Sequence, residues 1–300
     1  MSTNQFLQRH STEAIATFWN ATPCLHDFIE PAGWQEYFDH HDEFKREHEP
    51  HTAEQIAKID WQGKRVLEIG PGQGYEAEQI IRAGGRYNAI DLTPESIDRL
   101  KRRFALKSLP YENLTVMGAE AIDAADESFD IVFTHGVIHH SPQIRKVVME
   151  IHRILRPGGK LIAMVYHRNS LNYMVSIQIV RRLGIFLLFL PGFARIISAM
   201  TGENRLRIMK HRQNLRSAGL GYLRMDNFIH KATDGPDNVF SAVFTEDEMR
   251  DICTAFREYS ASKHFLNERH FPVLRTLLPE RFKQQLAACY GWHLWIDASK

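Results

Sequence analysis

The chain is predicted to fold around a doubly wound α/β core, and three observations predict it. From Gly63 to about Arg168, short apolar runs rich in β-branched residues alternate with amphipathic stretches, as successive parallel β-α units do. The first run ends in a glycine-rich turn, Glu68-Ile69-Gly70-Pro71-Gly72-Gln73-Gly74, set between a strand and a helix. A second acidic residue, Asp91, ends the next run 17 positions after Gly74, the spacing of one β-α-β unit.

The elements follow in order. Residues 1–60 are aromatic, acidic and histidine-rich (Phe18, Trp19, Trp34, Tyr37, Phe38) and read as a helical cap ahead of the core. The core, 61–168, carries five strand-like runs: Arg65-Ile69, Tyr87-Ile90, Leu114-Met117, Phe129-Phe133 and Lys160-Val165. Thr93-Pro94-Glu95-Ser96 reads as an N-cap with proline at the first helical position. Pro157-Gly158-Gly159 reads as a helix stop that turns into the fifth strand. Residues 169–243 break the alternation with an apolar helical stretch, a Pro191-Gly192 break, a basic segment from Arg205 to Arg216 and a glycine-rich loop, and read as a helical lid insertion. In 244–300 the alternation resumes. Thr245-Glu246-Asp247-Glu248 is a capping box for a helix through Phe256, a strand-like run covers Glu258 to Phe265, and a last strand covers Gly291 to Ile296.

Composition narrows the function. The chain has 300 residues, enough for a full hydrophobic core, and a net charge of +1, which removes the electrostatic argument for a nucleic-acid partner and leaves a small-molecule acceptor as the default. Cys24, Cys253 and Cys289 are odd in number and widely spaced, so neither a disulfide framework nor a zinc site is expected, and a reducing, cytoplasmic setting fits. No export signal is read at the N-terminus. The run Leu183-Leu190 falls well short of the roughly 20 apolar residues that span a bilayer. It reads as a lid helix packed on the core or on a second subunit of a homodimer, with a peripheral membrane anchor or an apolar acceptor tunnel as alternatives.

The chemistry is concentrated in the glycine turn. Glycines there let the backbone bend sharply and let a ligand approach more closely than a β-carbon allows. Dinucleotide sites read G-x-G-x-x-G, whereas this turn alternates as G-x-G-x-G after an acidic residue, which favours a nucleoside bearing an amino acid over a pyrophosphate. Asp91 is placed to accept both hydroxyls of a ribose, although an acid at that point fits any nucleoside.

Together, Glu68 to Gly74, Asp91, Ala119-Glu120, Ser128-Phe129-Asp130-Ile131-Val132 and Arg153-Ile154-Leu155-Arg156-Pro157-Gly158-Gly159 resemble the class I methyltransferases, in the broad group that includes ubiquinone and menaquinone methyltransferases. The resemblance covers residues 63–165 and implies a Rossmann-like seven-stranded sheet whose last strand, ending Trp292-His293-Leu294-Trp295, is antiparallel. It implies S-adenosyl-L-methionine as cofactor, with the Gly70, Gly72 and Gly74 turn against its methionyl and ribose part and Glu68 orienting the methionyl amine. By the same resemblance Asp91, next to Leu92, holds the ribose, Ala119 and Glu120 meet adenine, and His135 reaches the methionyl end. Gly118 stands where the family often has an acid, so adenine contacts are expected from backbone groups and Ile122.

Methyl transfer from a sulfonium needs alignment and exclusion of water, and positioning alone supplies roughly 7–11 kcal/mol. A hydroxyl acceptor also needs a base, and a thiol must be held as thiolate, roles suited to histidine, of which the chain has 16. The candidates are His51, ahead of the core, and His139 or His140, after the fourth strand, with Tyr37 and Tyr166 behind them; His167 and Arg168 are substrate-binding candidates, Arg168 for an acidic group. A thiol or hydroxyl acceptor is preferred, with nitrogen and carbon acceptors open. A metal reading of Asp39-His40-His41-Asp42-Glu43 is set aside because adjacent helical side chains diverge by about 100°. The rival functions are an NAD-dependent oxidoreductase on the same fold and a non-catalytic cofactor-binding partner of another protein.

Overall fold

The computed structural model describes residues 11–22, 33–266 and 278–300; Cys24 lies outside the described residues, as does the extreme N-terminus of the expected cap. The chain divides into two compact units, one of 11–165, 246–262 and 294–300, the other of 166–245 and 263–293 together with the undescribed start.

In the first unit, α1 (Thr12–Ala21), α2 (Trp34–His48) and α3 (Pro50–Ala57) precede β1 (Arg65–Ile69). The core then runs α4 (Tyr75–Arg82), β2 (Arg86–Asp91), α5 (Pro94–Lys107), β3 (Asn113–Val116), β4 (Phe129–His135), α6 (Ile144–Ile154) and β5 (Leu155–Tyr166). The core is completed by α11 (Glu246–Ile252) and β6 (Glu258–His264), which follow residue 245, and by β7 (His293–Ser299) at the end of the chain. Seven strands form one sheet in the order β3-β2-β1-β4-β5-β7-β6. The strand pairs β1 with β2, β1 with β4, β2 with β3 and β4 with β5 are parallel. β7 is antiparallel to its neighbours: Gly158 at the start of β5 donates to Lys300 at 3.0 Å, and Arg257 ahead of β6 donates to Ser299 at 2.9 Å.

These elements follow from local chemistry. Val66, Leu67, Val132 and Phe133 are almost wholly buried, as strands covered on both faces require. Helix α6 buries Val147, Val148, Ile151 and Ile154, one stripe at helical spacing, while Lys146 and Met149 face out. Helix α5 starts where Thr93 Oγ1 accepts from the Ser96 amide at 3.3 Å with Pro94 at the first position, as the sequence predicts.

Two boundaries differ from expectation. Pro157-Gly158-Gly159 is not a stop ahead of the fifth strand, because β5 already begins at Leu155. Leu155 pairs with Phe129 and Lys160 with Ile131, so residues 156–159 bulge opposite Asp130, and Gly158 takes the positive φ of 77° that the bulge needs. Helix α11 ends at Ile252 rather than Phe256, because the Phe256 amide turns back onto the Cys253 carbonyl and Arg257 pairs with β7.

The second unit is helical: α7 (Asn172–Phe189), α8 (Phe193–Thr201), α9 (Arg205–Ala218), α10 (Met225–Thr233) and, near the end of the chain, α12 (Glu280–Tyr290). The first turns of α7, Asn172–Arg181, are wound in the wider i→i+5 form. Its core gathers Ile177, Leu188, Ile208, Leu215, Tyr222 and Phe228. Pro191 and Gly192 make the expected break, with Gly192 at φ 82°. Helix α7 is long and apolar enough to cross a membrane by length and composition, further than the run Leu183-Leu190 suggested, yet it carries Arg181 and Arg182 and only 22% of it is buried.

Candidate functional site

The carboxyl ends of β1, β2 and β4 open onto a cavity of about 260 Å3. The glycine turn after β1 forms one wall, with Gly70, Gly72 and Gly74 at φ of 72°, 53° and 78°. Each is held to glycine for its own reason. A β-carbon on Gly70 would lie 2.4 Å from the Val137 side chain, and one on Gly74 would lie 2.6 Å from Leu100, so both positions are packed against neighbours. A β-carbon on Gly72 would meet nothing within 4 Å: this glycine faces the open cavity, where ligand atoms can come close to its backbone.

Asp91 and Leu92 line the cavity at the end of β2. The Asp91 carboxylate accepts from the Thr93 amide at 2.8 Å and its hydroxyl at 2.9 Å, which fix its rotamer. Burial raises its pKa against the pull of these donors. Met117, Gly118, Ala119 and Glu120 follow β3 along the wall, and Glu120 Oε1 accepts from Ser141 at 2.7 Å. Ile122, expected to help hold adenine, does not line the cavity; it is buried, and its amide donates to Glu150 at 3.0 Å.

The far end of the cavity is charged. Lys45 on α2 lies 2.6 Å from Glu49, the residue after that helix, and 2.9 Å from Glu76 in the first turn of α4, and all three line the cavity. Burial would raise the Glu49 pKa, but the Lys45 ammonium beside it holds it down at about 2, so the pair stays ionised. His135 ends β4 with its Nδ1 3.6 Å from Glu76, and burial, then Lys45, push its pKa well below the ordinary value, so it is neutral. These three charged residues escaped the sequence reading. The i,i+4 spacing of Lys45 and Glu49, and the place of Glu76 just after the glycine turn, were the available signals.

Glu68 sits one layer behind the turn. It is buried, accepts from the Tyr87 hydroxyl and does not line the cavity, so it reaches a ligand only through the turn. Burial, then the Glu76 charge, push its pKa up to about 8.

The candidate bases separate. His140 lines the cavity, and Trp19 of α1 packs edge-on against it with ring centroids 4.9 Å apart. Its neighbour His139 is wholly buried and turned away from the cavity. His51 is buried on α3 outside the cavity wall, and Tyr37 is buried beside Trp34 and Phe38. Tyr166, His167 and Arg168 belong to the other unit and bond within it. Tyr166 donates to Asp234 at 2.8 Å, His167 Nδ1 lies 3.0 Å from the Gly291 carbonyl, and Arg168 donates to the Val243 carbonyl at 2.9 Å. The histidine–acid run is likewise accounted for, since Asp42 accepts from Arg103 at 2.9 and 2.6 Å and from Lys107 at 3.1 Å.

Residues 67–163 match the methyltransferase domain family. A ubiquinone biosynthesis O-methyltransferase of Ralstonia nicotianae is 30% identical over 170 residues, which take in 54% of this chain and 68% of that relative. The chain belongs to the class I S-adenosylmethionine-dependent methyltransferases. A second ubiquinone biosynthesis O-methyltransferase, from Xanthomonas oryzae pv. oryzae, is 31% identical over 122 residues, 40% of this chain and about half (51%) of that relative. Among solved structures, an S-adenosylmethionine-dependent methyltransferase of Thermotoga maritima superposes with a TM-score of 0.51 at 14% identity, over 89% of this chain and 98% of that one, a likeness of fold. S-adenosylmethionine is the methyltransferase's cofactor, and the cavity suits it: an open approach at Gly72, a carboxylate at Asp91 and a charged end at Lys45, Glu49 and Glu76. The G-x-G-x-G spacing thus marks a methyl donor, and the oxidoreductase reading falls away.

Proposed function

We propose that this methyltransferase methylates a hydroxyl group of a small, largely apolar metabolite, with His140 as the base that takes the hydroxyl proton. The observation that carries the proposal is the place of His140: of the catalytic candidates read in the sequence, it alone lines the cavity of Gly72 and Asp91. The oxygen acceptor is supported by the two relatives named for O-methylation in ubiquinone biosynthesis.

Asp91 would accept from the ribose hydroxyls, and Ala119 with Glu120 would border the base of the cofactor. Bound there, S-adenosylmethionine supplies a methyl group on a sulfonium, an electrophile that needs no further activation. The chain then has to hold the acceptor oxygen in line, keep water out and remove one proton. Trp19, Ile15 and Val137 supply apolar wall beside His140, which suits an acceptor with an aromatic or aliphatic body. Neutral His135 and the ionised Lys45–Glu49 pair form the charged part of the wall, where the methionyl ammonium and carboxylate would find opposite charges. His51, His139, Tyr37, Tyr166, His167 and Arg168 have no part in this proposal.

The test is a screen of phenols, catechols and thiols with methyl-labelled cofactor, followed by His140→Ala on the best acceptor. The expected result is a methoxy product, with kcat in the variant down by about 100-fold or more and cofactor affinity unchanged. Wild-type turnover in the variant, or a methylated thiol as the favoured product, would overturn the proposal.

A further inference from the structure

The helical unit carries an apolar surface that no described residue of the unit covers. Helices α7, α8 and α9 pack on one another, and their outer positions bear large apolar side chains. Met200 and Leu206 are each 78% exposed, and Leu183, Phe186, Leu190 and Ile196 are exposed as well. Of the apolar run that the sequence placed in a packed lid helix, only Leu188 is buried. Monomeric soluble proteins rarely leave so many large apolar groups together in water.

The charge on the same surface says what covers it. From Asn172 to Arg224 the chain has nine arginines and lysines and a single acidic residue, Glu203, although the whole chain carries a net charge of only +1. Arg195, Arg205 and Arg216 are exposed on α8 and α9, and among the described residues none of them pairs with a carboxylate. Exposed leucine, phenylalanine and methionine beside unpaired arginines match the chemistry of an anionic bilayer surface, with apolar side chains entering the headgroup boundary and guanidinium groups meeting lipid phosphates. A second copy of this chain would bring its own positive charges against them.

Helix α7 does not enter the bilayer end on. Asn172, Ser176, Ile177 and Leu188 are buried within the unit, and Arg181 in mid-helix donates to the Ala232 carbonyl, so the helix is held flat on its neighbours. We infer that the exposed face of α7, α8 and α9 docks in the plane of an anionic membrane. The inference is independent of which acceptor is methylated.

Co-sedimentation of the full chain with vesicles tests it, using phosphatidylcholine alone and phosphatidylcholine with part replaced by phosphatidylglycerol. The expected result is binding to the anionic vesicles only, falling with added salt. Each basic residue near the surface contributes about fivefold, so Arg195→Glu with Arg205→Glu weakens binding by more than about tenfold. Met200→Asp with Leu206→Asp, at positions already in solvent, abolishes binding without lowering the melting temperature. Equal binding to neutral vesicles, or no effect of either pair, overturns the inference. So does a homodimer in light scattering that the aspartate pair splits, since a second copy would then be the cover.

Discussion

The two units of this methyltransferase treat charge in opposite ways. In the cofactor-binding unit the charged groups behind the glycine turn are buried and paired. Arg103, wholly buried, donates to Asp42 and, at 2.7 Å, to Glu78, and Lys107 lies 3.1 and 2.8 Å from the same two carboxylates. In the helical unit, Arg195, Arg205 and Arg216 stand in solvent beside exposed leucines and methionines. A charge removed from water must be matched at fixed geometry, so the first arrangement holds α2, α4 and α5 in one register beneath the cavity. A surface charge is constrained mainly in sign. The first unit is therefore built to hold one shape, the second to present one kind of surface.

The contrast is broken most severely at Arg103. Arg103→Met leaves the buried Asp42 facing Lys107, and the half-buried Glu78 facing Lys107 and Arg82, without their shared guanidinium, and breaking a buried pair costs about 3–5 kcal/mol. The expected outcome is a denaturation midpoint lowered to match, in urea at neutral pH. An unchanged midpoint would mean that water reaches these carboxylates and that they behave like the exposed arginines of the other unit.

Asp91→Ala comes next, because it alters the cavity and spares the packing. Two hydrogen bonds to a charged carboxylate, at about 1.5–3 kcal/mol each, correspond to roughly 100-fold or more in affinity for S-adenosylhomocysteine. Calorimetric titration should show that loss in a chain that still folds, its unfolding free energy lower only by the two bonds from Thr93, about 1 kcal/mol each. An unchanged affinity would place the ribose elsewhere.

The same contrast explains what the sequence disclosed. The glycine turn, Asp91 and Ala119-Glu120 were legible because a ligand or a tight turn limits each position to very few residue types. All seven strands were legible, five as short apolar runs alternating with helices and the last two, β6 and β7, as strand-like runs near the end of the chain. Lys45, Glu49 and Glu76 were not, since they are distant in sequence from their partners and read as ordinary surface charge until α2 is laid against α4. The candidate bases could not be told apart for a related reason: His139 and His140 both follow β4, and only the rotation of that turn decides that His140 lines the cavity while His139 is buried outside its lining. In the helical unit, composition announced helices and a break at Pro191-Gly192. It left open whether the apolar run packs inward or faces outward as an anchor, because the 3.6-residue stripe that separates inside from outside is blurred when both sides are apolar.

Glu68 is the exception within the cofactor unit, a buried carboxylate whose hydrogen-bond partner is the Tyr87 phenol rather than a cation. Its pKa rises from 4.5 to about 8. Between those values the folded chain keeps a proton that the unfolded chain has released, so this group's contribution to stability falls as pH rises through that window. Glu49 works in the opposite sense: its pKa is lowered to about 2, so its contribution is present above 4.5 and is lost on acidification. Glu68→Gln keeps an acceptor for Tyr87 and removes the titration. The variant should match the wild type near pH 4.5, gain on it steadily up to about pH 8 and hold a constant lead beyond. A lead that does not vary with pH would show that Glu68 is ionised throughout.

The smallest effect belongs to the helical unit. Arg216 is exposed on α9, immediately after the buried Leu215, and no carboxylate pairs with it among the described residues. Arg216→Ala removes a solvated charge and leaves a residue of higher helix propensity, so the unfolding midpoint should move by no more than about 0.5 kcal/mol in either direction. The comparison with Arg103 is then direct: the same residue type, removed from a helix in each unit, separated by several kcal/mol. A loss at Arg216 approaching that at Arg103 would show that the arginines of α9 take part in a network within the unit, and the surface would have to be read as structural rather than as a face presented to a partner.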